Sequence, residues 1–213
     1  MTYSLYVLTD EEISGGVSHV KIAELSYAGG ADCVQLRGKN TPFDSLLTSA
    51  KEICRIRDKY SRLFFVNDNI EVAIKSGADG VHLGQGDMPV SEARDISPEG
   101  FLIGISVGNL SEAIKGEADG ADYIALSPTF NTSSKADAGP GNGLFELKKI
   151  CENVSVPVIG IGGIGLFNAC DVIRAGASGC AVISAVVAQN DIKSAASSLK
   201  AKISEEKLRL GRF

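Results

Sequence analysis

The sequence predicts an α/β protein, a single (β/α)8 barrel of the TIM type, with one catalytic domain over residues 1–213. Three observations predict it. Four segments resemble one another: AGGADCV (28–34), SGADGV (76–81), DGADYI (119–124) and AGASGCAV (175–182). In each, a glycine precedes a small residue and an apolar run, and glycine ends a helix by entering the left-handed region without a Cβ clash. Each copy therefore reads as helix stop, then strand. Filling the gaps gives eight strand-like runs alternating with about eight helical segments, in a chain slightly shorter than the usual ~250 residues of this barrel. Several runs are nearly continuous apolar stretches, as buried parallel strands are. An open doubly wound sheet is the alternative, and the strand count speaks against it.

In chain order the predicted strands are 4–10, 32–37, 62–68, 80–84, 101–106, 123–128, 157–163 and 180–184. The clearest helix is PFDSLLTSAKEICRIRDKY (42–60), where Leu46, Leu47, Ala50, Ile53 and Cys54 follow a 3.6-residue period and Pro42 suits the first turn. The closing segment SEEKLRLGRF reads as a solvated helix end.

Composition narrows the function. With 44% hydrophobic and 22% charged residues the chain is an ordinary globular one. A net charge of −5 and the lack of a basic block give no footprint for nucleic acid. No run approaches ~18 apolar residues and the N-terminus lacks a basic start, so the expectation is a cytoplasmic protein without membrane attachment. The five cysteines show no metal spacing, and most of them read as buried apolar side chains. The sequence fixes no oligomeric state.

In such a barrel the working face lies at the C-terminal strand ends. Those ends read Thr9 and Asp10; Gln35, Arg37 and Lys39; Asn67 and Asp68; Gln85 and Asp87; Ser106; Thr129 to Lys135; Gly162 and Gly163; Ile183 and Ser184. The opposite ends are expected to carry no comparable set. Gln35, Arg37 and Lys39 alternate through VQLRGK, so two cations and an amide share one side, suited to a diphosphate with a ring nearby. A solvated loop edge is the plainer reading of that spacing. Asp68 and Asp87 follow neighbouring strands, about 4.8 Å apart in a sheet, where two carboxylates repel unless a cation lies between them. With few protein ligands, magnesium (Mg2+) is the expected metal; capping of the next helix is the alternative for either residue. GIGGIG (160–165) lets backbone amides approach a phosphate, and the loops after strands seven and eight form the usual phosphate site. The hydroxyls of Thr132, Ser133 and Ser134 beside Lys135 suit an anionic ligand or, more simply, a long polar connection. His82 is expected to turn away from the working face as a hydrogen-bonded core residue, and His19 to lie on a helix surface.

The series YVLTD, VQLRGK, FFVND, GADGVHLGQGDMP, GISV, SPTFNTSSK, PVIGIGGI and AVIS, in order across nearly the whole chain, resembles the thiamine phosphate synthase family. The resemblance implies a (β/α)8 transferase that joins a pyrimidine methyl diphosphate to a thiazole ethyl phosphate and releases diphosphate. It implies that Gln35, Leu36, Arg37, Gly38, Lys39 and Asn67 bind the pyrimidine diphosphate, and that Asp68 and Asp87 hold magnesium against it. Ser106 touches the pyrimidine, Thr132, Ser133 and Ser134 the thiazole phosphate, and Lys135 the diphosphate. Gly163, Ile183 and Ser184 cradle the thiazole phosphate. Arg37, Lys39, Lys135 and Ser106 are the residues implied to be catalytic. Gly38 stands where a glutamate is common, and Ser134 where a threonine is usual. Gly108 occupies the place of a histidine used by the related thiazole tautomerases, so the retained cations favour the synthase. A non-catalytic thiamine phosphate sensor and a barrel enzyme acting on another phosphate are the competing readings.

Overall fold

The computed structural model describes residues 3–132, 134 and 139–212. Eight parallel strands close a barrel in sequence order: β1 (Leu5–Leu8), β2 (Cys33–Leu36), β3 (Leu63–Asn67), β4 (Gly80–Leu83), β5 (Leu102–Val107), β6 (Tyr123–Leu126), β7 (Val158–Ile161) and β8 (Gly179–Val182). The intervening helices are α1 (His19–Ala28), α2 (Phe43–Tyr60), α3 (Ile70–Ser76), α4 (Val90–Ile96), α5 (Leu110–Ala118), α6 (Gly143–Cys151) and α7 (Ala169–Arg174). After β8 come a four-residue helix, α8 (Ser184–Val187), and the long α9 (Ile192–Arg209). The predicted (β/α)8 barrel is therefore the observed one. The extra short helix was not foreseen, because four residues are too few to show a helical period.

The repeated segments behave as read. Gly30, Gly77, Gly120 and Gly176 all have positive φ just past a helix. Helix starts are set by side chains that accept a backbone N–H: Ser18 for α1, Asn69 for α3, Asn109 for α5 and Asp191 for α9. Pro42 stands at the N-cap of α2, one residue earlier than expected. Neither Asp68 nor Asp87 caps a helix, since Asn69 and Pro89 hold those positions.

Alternate strand residues feed two cores. Outward-facing Val7, Val34, Phe64, Val81 and Ile103 pack against the helices. Inward-facing Tyr6, Cys33, Phe65, Tyr123 and Ile159 fill the barrel. Two glycines make the aromatic filling possible: a Cβ at Gly104 would lie 2.1 Å from the Tyr123 ring, and one at Gly80 would lie 2.7 Å from Phe65. Burial pushes the Cys54 and Cys151 thiols up to about 11. All five cysteines are free; Cys33, Cys54 and Cys180 are buried, while Cys151 and Cys170 are half-buried.

The N-terminal end of the barrel corrects the expectation that it carries no polar set. The aspartate of each GAD copy reaches back to the preceding strand. Asp32 accepts from Leu5 N (3.0 Å), Asp79 from Phe64 N (2.7 Å) and Asp122 from Ile103 N (2.7 Å). A cation from a helix completes each site: Lys200 to Asp32 at 2.5 Å, Arg57 to Asp79 at 2.7 Å and Arg94 to Asp122 at 2.5 Å. The fourth copy has Ser178, whose carbonyl accepts from Lys207 Nζ at 3.0 Å.

The closing segment is also more than a solvated end. Glu206 is buried and pairs with Arg174 (2.9 Å) and Arg209 (2.5 Å), and Arg212 Nη1 donates to Ile173 O at 2.8 Å. An amphipathic pattern hides such charges, because a buried ion pair reads as surface polarity.

Candidate functional site

Three adjoining hollows open at the C-terminal mouth, and Arg37 lines all of them. The central one descends into the barrel between Gln35, Asn67, His82 and Ser106 on one side and Gly163, Ile183 and Ser184 on the other, with Thr132 and Ser134 above. A second, beside the β1 and β2 loops, includes Asp10, His19, Gly38, Lys39 and Ser134. The third, over β3 to β5, gathers Arg37, Lys39, Asn67, Asp68, Gln85, Asp87 and Ser106. Residues scattered over 150 positions of sequence thus meet at one mouth, as the barrel's topology requires.

Arg37 is held in place. Its Nη1 pairs with Asp10, its backbone N donates to Thr9 Oγ1 (3.2 Å), and both charged side chains are nearly buried. Asp10 also accepts from Ile13 N at 3.0 Å, which fixes the carboxylate. A guanidinium fixed this way presents its remaining N–H groups as a planar fork, the geometry that matches phosphate oxygens. The sequence reading placed Asp10 at the working face without a role; it is the partner that aims Arg37.

Asp68 and Asp87 are exposed side chains in the same hollow. Asp87 Oδ2 accepts from Gly84 N at 2.7 Å, which folds the β4 loop around it. Asp68 has φ 63°, a left-handed conformation that aspartate tolerates better than most residues, and its N donates to His82 O at 2.8 Å. Gln85 closes the floor of this hollow by donating to Ser106 O at 2.7 Å.

On the other side, Gly162 and Gly163 both have positive φ, 95° and 64°. They let the β7 loop run against the β6 loop, where Thr129 N donates to Ile161 O (2.6 Å) and Phe130 N to Gly162 O (3.1 Å). A side chain at Gly163 would press on Asn131 O at 2.5 Å. Ser134 Oγ donates to Ser184 Oγ at 3.1 Å, so the β6 loop is tied to the start of α8. Ser133 and Lys135 lie outside the described residues.

Two expectations need correction. His82 does not turn away: residues 80, 82 and 84 share one face, and its ring, 6% exposed, lines both the central and the third hollow. It is the hydrogen-bonded core histidine expected, but on the inner face. His19 is buried, not superficial, because Nδ1 bonds Thr9 Oγ1 at 2.8 Å and its backbone N donates to Glu11 at 2.9 Å. Burial, opposed by Glu11 and Asp10, lowers its pKa below the usual imidazole value. Leu36 is fully buried in the outer core, so only its backbone is available to a ligand at the mouth. A Cβ at Gly38 would meet Leu46 and Thr41, and Thr41 lines the second hollow together with Gly38.

Below Arg37 the sequence reading missed a polar layer. Tyr6 and Tyr123 face each other inside the barrel with hydroxyl oxygens 3.0 Å apart. Burial holds both phenols far above the ordinary tyrosine range, so they stay neutral. The register that pairs Asn67 with His82, His82 with Gly104, and Gly104 with Tyr123 puts this layer directly beneath the mouth.

Comparison with known proteins identifies the family. The family model for thiamine monophosphate synthase matches residues 5–186. Thiamine-phosphate synthase of Methanoculleus marisnigri is 55% identical over 207 residues, covering 97% of this chain and 98% of that one. The protein of the same name from Methanocella arvoryzae is 51% identical over 208 residues, with 98% of each chain covered. Among solved structures, thiamine phosphate pyrophosphorylase from Pyrococcus furiosus superposes with a TM-score of 0.89 at 39% identity, covering 96% of both chains. With a family model spanning most of its length and relatives more than half identical end to end, this chain belongs to the thiamine monophosphate synthase family.

Proposed function

We propose that the three hollows divide the two substrates of a thiamine-phosphate synthase among them, and that the barrel acts as one cytoplasmic catalytic domain. The enzyme is a transferase of thiamine biosynthesis that makes thiamine phosphate from 4-amino-2-methyl-5-hydroxymethylpyrimidine diphosphate and 4-methyl-5-(2-hydroxyethyl)thiazole phosphate. No described helix is long and apolar enough to cross a membrane. The observation that carries the division is the position of Arg37, the residue common to all three hollows.

The pyrimidine enters the central hollow against Gln35, Asn67 and Ser106. Its diphosphate reaches Arg37 and Lys39, passing the backbone of Leu36 and Gly38. The thiazole phosphate sits across the mouth, on Gly163, Ile183 and Ser184, with Thr132 and Ser134 above; Ser133 is assigned to it only by its place in the SPTFNTSSK motif. Lys135 reaches the diphosphate by its place in the SPTFNTSSK motif. The Ser134–Ser184 bond supports this arrangement, since it joins the β6 loop to the β8 side.

In the reaction the methylene C–O bond breaks and its electron pair leaves with the diphosphate. The aminopyrimidine carries the cation that develops. The thiazole nitrogen then donates its lone pair to form the new C–N bond. That nitrogen has no proton to lose, so no general base is required. The protein's task is to stabilise charge on the leaving group, which preorganised cations do best, and to hold the thiazole at attacking distance. Water is kept from the cation by the same closeness.

Asp68 and Asp87 fit magnesium. Both offer hard oxygens in one hollow with Arg37 and Lys39, and no cluster of three metal-ligating side chains occurs among the described residues. Most of the shell is then left to phosphate oxygens and water, as magnesium prefers. When bound there, magnesium supplies positive charge against the diphosphate.

The test is a mass-resolved assay with both substrates, with magnesium and with chelator. Thiamine phosphate formed only with the metal supports the whole reading. Product formed equally in chelator removes the metal from it. Folded protein that binds either substrate without product would point to a sensor.

A further inference from the structure

Five side chains from five strands form one hydrogen-bonded chain across the barrel. Gln35 Nε2 donates to Tyr6 Oη (2.9 Å), Tyr6 Oη meets Tyr123 Oη (3.0 Å), Tyr123 Oη meets His82 Nδ1 (2.8 Å), and His82 Nε2 meets Ser106 Oγ (2.8 Å). Gln35, Tyr6, Tyr123 and His82 are 6% exposed or less. Gln35 Oε1 is buried and has no hydrogen-bond partner among the described residues, although Gln35 lines the central hollow. An unpaired buried carbonyl is costly, so this oxygen calls for a ligand N–H.

Such a chain runs one of two ways, and the orientation of the Gln35 amide sets which. Each hydroxyl and a neutral imidazole carry a single proton, so fixing one end fixes every link. With Gln35 Nε2 donating, Tyr6 must donate to Tyr123, and Tyr123 to His82 Nδ1. His82 then bears its proton on Nε2 and gives it to Ser106, whose own hydroxyl proton is released. The hollow shows an acceptor at Gln35 and a donor at Ser106. Reversing the chain puts the His82 proton on Nδ1, turns the Gln35 amide over, and exchanges donor for acceptor at both ends.

We infer that Tyr6, Tyr123 and His82 are positioning residues that lock this polarity, and that the locked pattern selects a 4-aminopyrimidine over its 4-oxo counterpart. An amino group donates where Gln35 Oε1 accepts, and an unprotonated ring nitrogen accepts where Ser106 donates. The oxo ring inverts both: a carbonyl faces a carbonyl, and a ring N–H replaces the lone pair. Selection of this kind is strong, because the wrong ring leaves buried polar groups unpaired. The inference rests on the pyrimidine occupying the central hollow as proposed above.

The sequence makes the test clean, since it has two histidines. The 15N spectrum of histidine-labelled full-length protein reports the tautomer of His82 directly, without turnover. The expected state is Nε2–H; Nδ1–H in the folded wild type overturns the inference. Titration with 4-amino-5-hydroxymethyl-2-methylpyrimidine and its 4-oxo counterpart then gives the selectivity. Wild type should prefer the amino ring by about tenfold or more, and Tyr6→Phe and Tyr123→Phe should each bring that ratio towards one. Equal binding of both rings by wild type, or an unchanged ratio in both variants, also overturns it. A protein that shows the tautomer and the preference but makes no thiamine phosphate would contradict the assigned reaction and leave the polarity lock standing.

Discussion

The two ends of the barrel use the same residue types to opposite effect. At the N-terminal end Asp32, Asp79 and Asp122 each accept a strand N–H and pair with a helix cation. At the C-terminal end Asp68 and Asp87 stand exposed in a hollow, and Gln35 Oε1 is buried beside it with no described partner. A carboxylate buried against its own chain holds a fold together; an exposed one that shares a hollow with Arg37 and Lys39 can also be reached by a ligand. Within the mouth, the Asp10–Arg37 pair shows the intermediate case, a buried pair one of whose members lines all three hollows.

The sharpest way to break this comparison is to change one residue at each end. Lys135→Ala should lower the rate at saturating substrates on the order of 10²-fold, roughly 3 kcal/mol, with the urea midpoint unchanged. Asp32→Ala should do the reverse. It strands Lys200 and the Leu5 N–H in a site 5% exposed, so about 3 kcal/mol of stability should be lost in urea unfolding. The rate per folded molecule should stay as it was. If Asp32→Ala altered turnover, or Lys135→Ala the midpoint, the division of labour between the ends would be wrong.

A smaller effect sharpens the metal reading. Asp87→Asn keeps an oxygen for the Gly84 N–H but removes the charge, so the magnesium concentration for half-maximal rate should rise about tenfold while the maximal rate changes less. An unmoved magnesium requirement would take Asp87 out of the metal site.

The mildest prediction concerns acid. Hydrogen bonds from Arg209 and Arg174 hold the Glu206 carboxyl down to about 2, against an ordinary 4.5. A depressed carboxyl stabilises the fold above its unfolded value and loses that contribution as pH falls through the folded one. Between pH 4.5 and 2, therefore, the melting temperature of the wild type should fall more steeply than that of Glu206→Gln. Parallel curves would show that the pair contributes nothing.

Much of this was legible in the sequence, and particular residues show why the rest was not. The GAD glycines mark helix ends by backbone geometry, which is local, and so the barrel and its working face could be read. The aspartates in the same repeat are local too, but their partners lie up to 168 residues away, so only the fold reveals that they close the opposite end. His82 shares a parity with residues 80 and 84, a signal present in the sequence and misread. His19 and Glu206 carry no such signal, because what buries them is another element's arrival.

The aspartate pairings also set an order of events during synthesis. Arg57, Phe64 and Asp79 lie close together along the chain, as do Arg94, Ile103 and Asp122. Each of those sets can assemble as soon as its own stretch has left the ribosome, N-terminal stretch first. Asp32 and Leu5 are made early, and Arg62 can pair with Asp32 (3.3 Å) soon afterwards, yet the shorter pair, to Lys200 at 2.5 Å, needs the last helix. The first-made strands thus hold only the longer of their two ion pairs until nearly the whole chain has emerged, and the arrival of α9 seals the ring where it began.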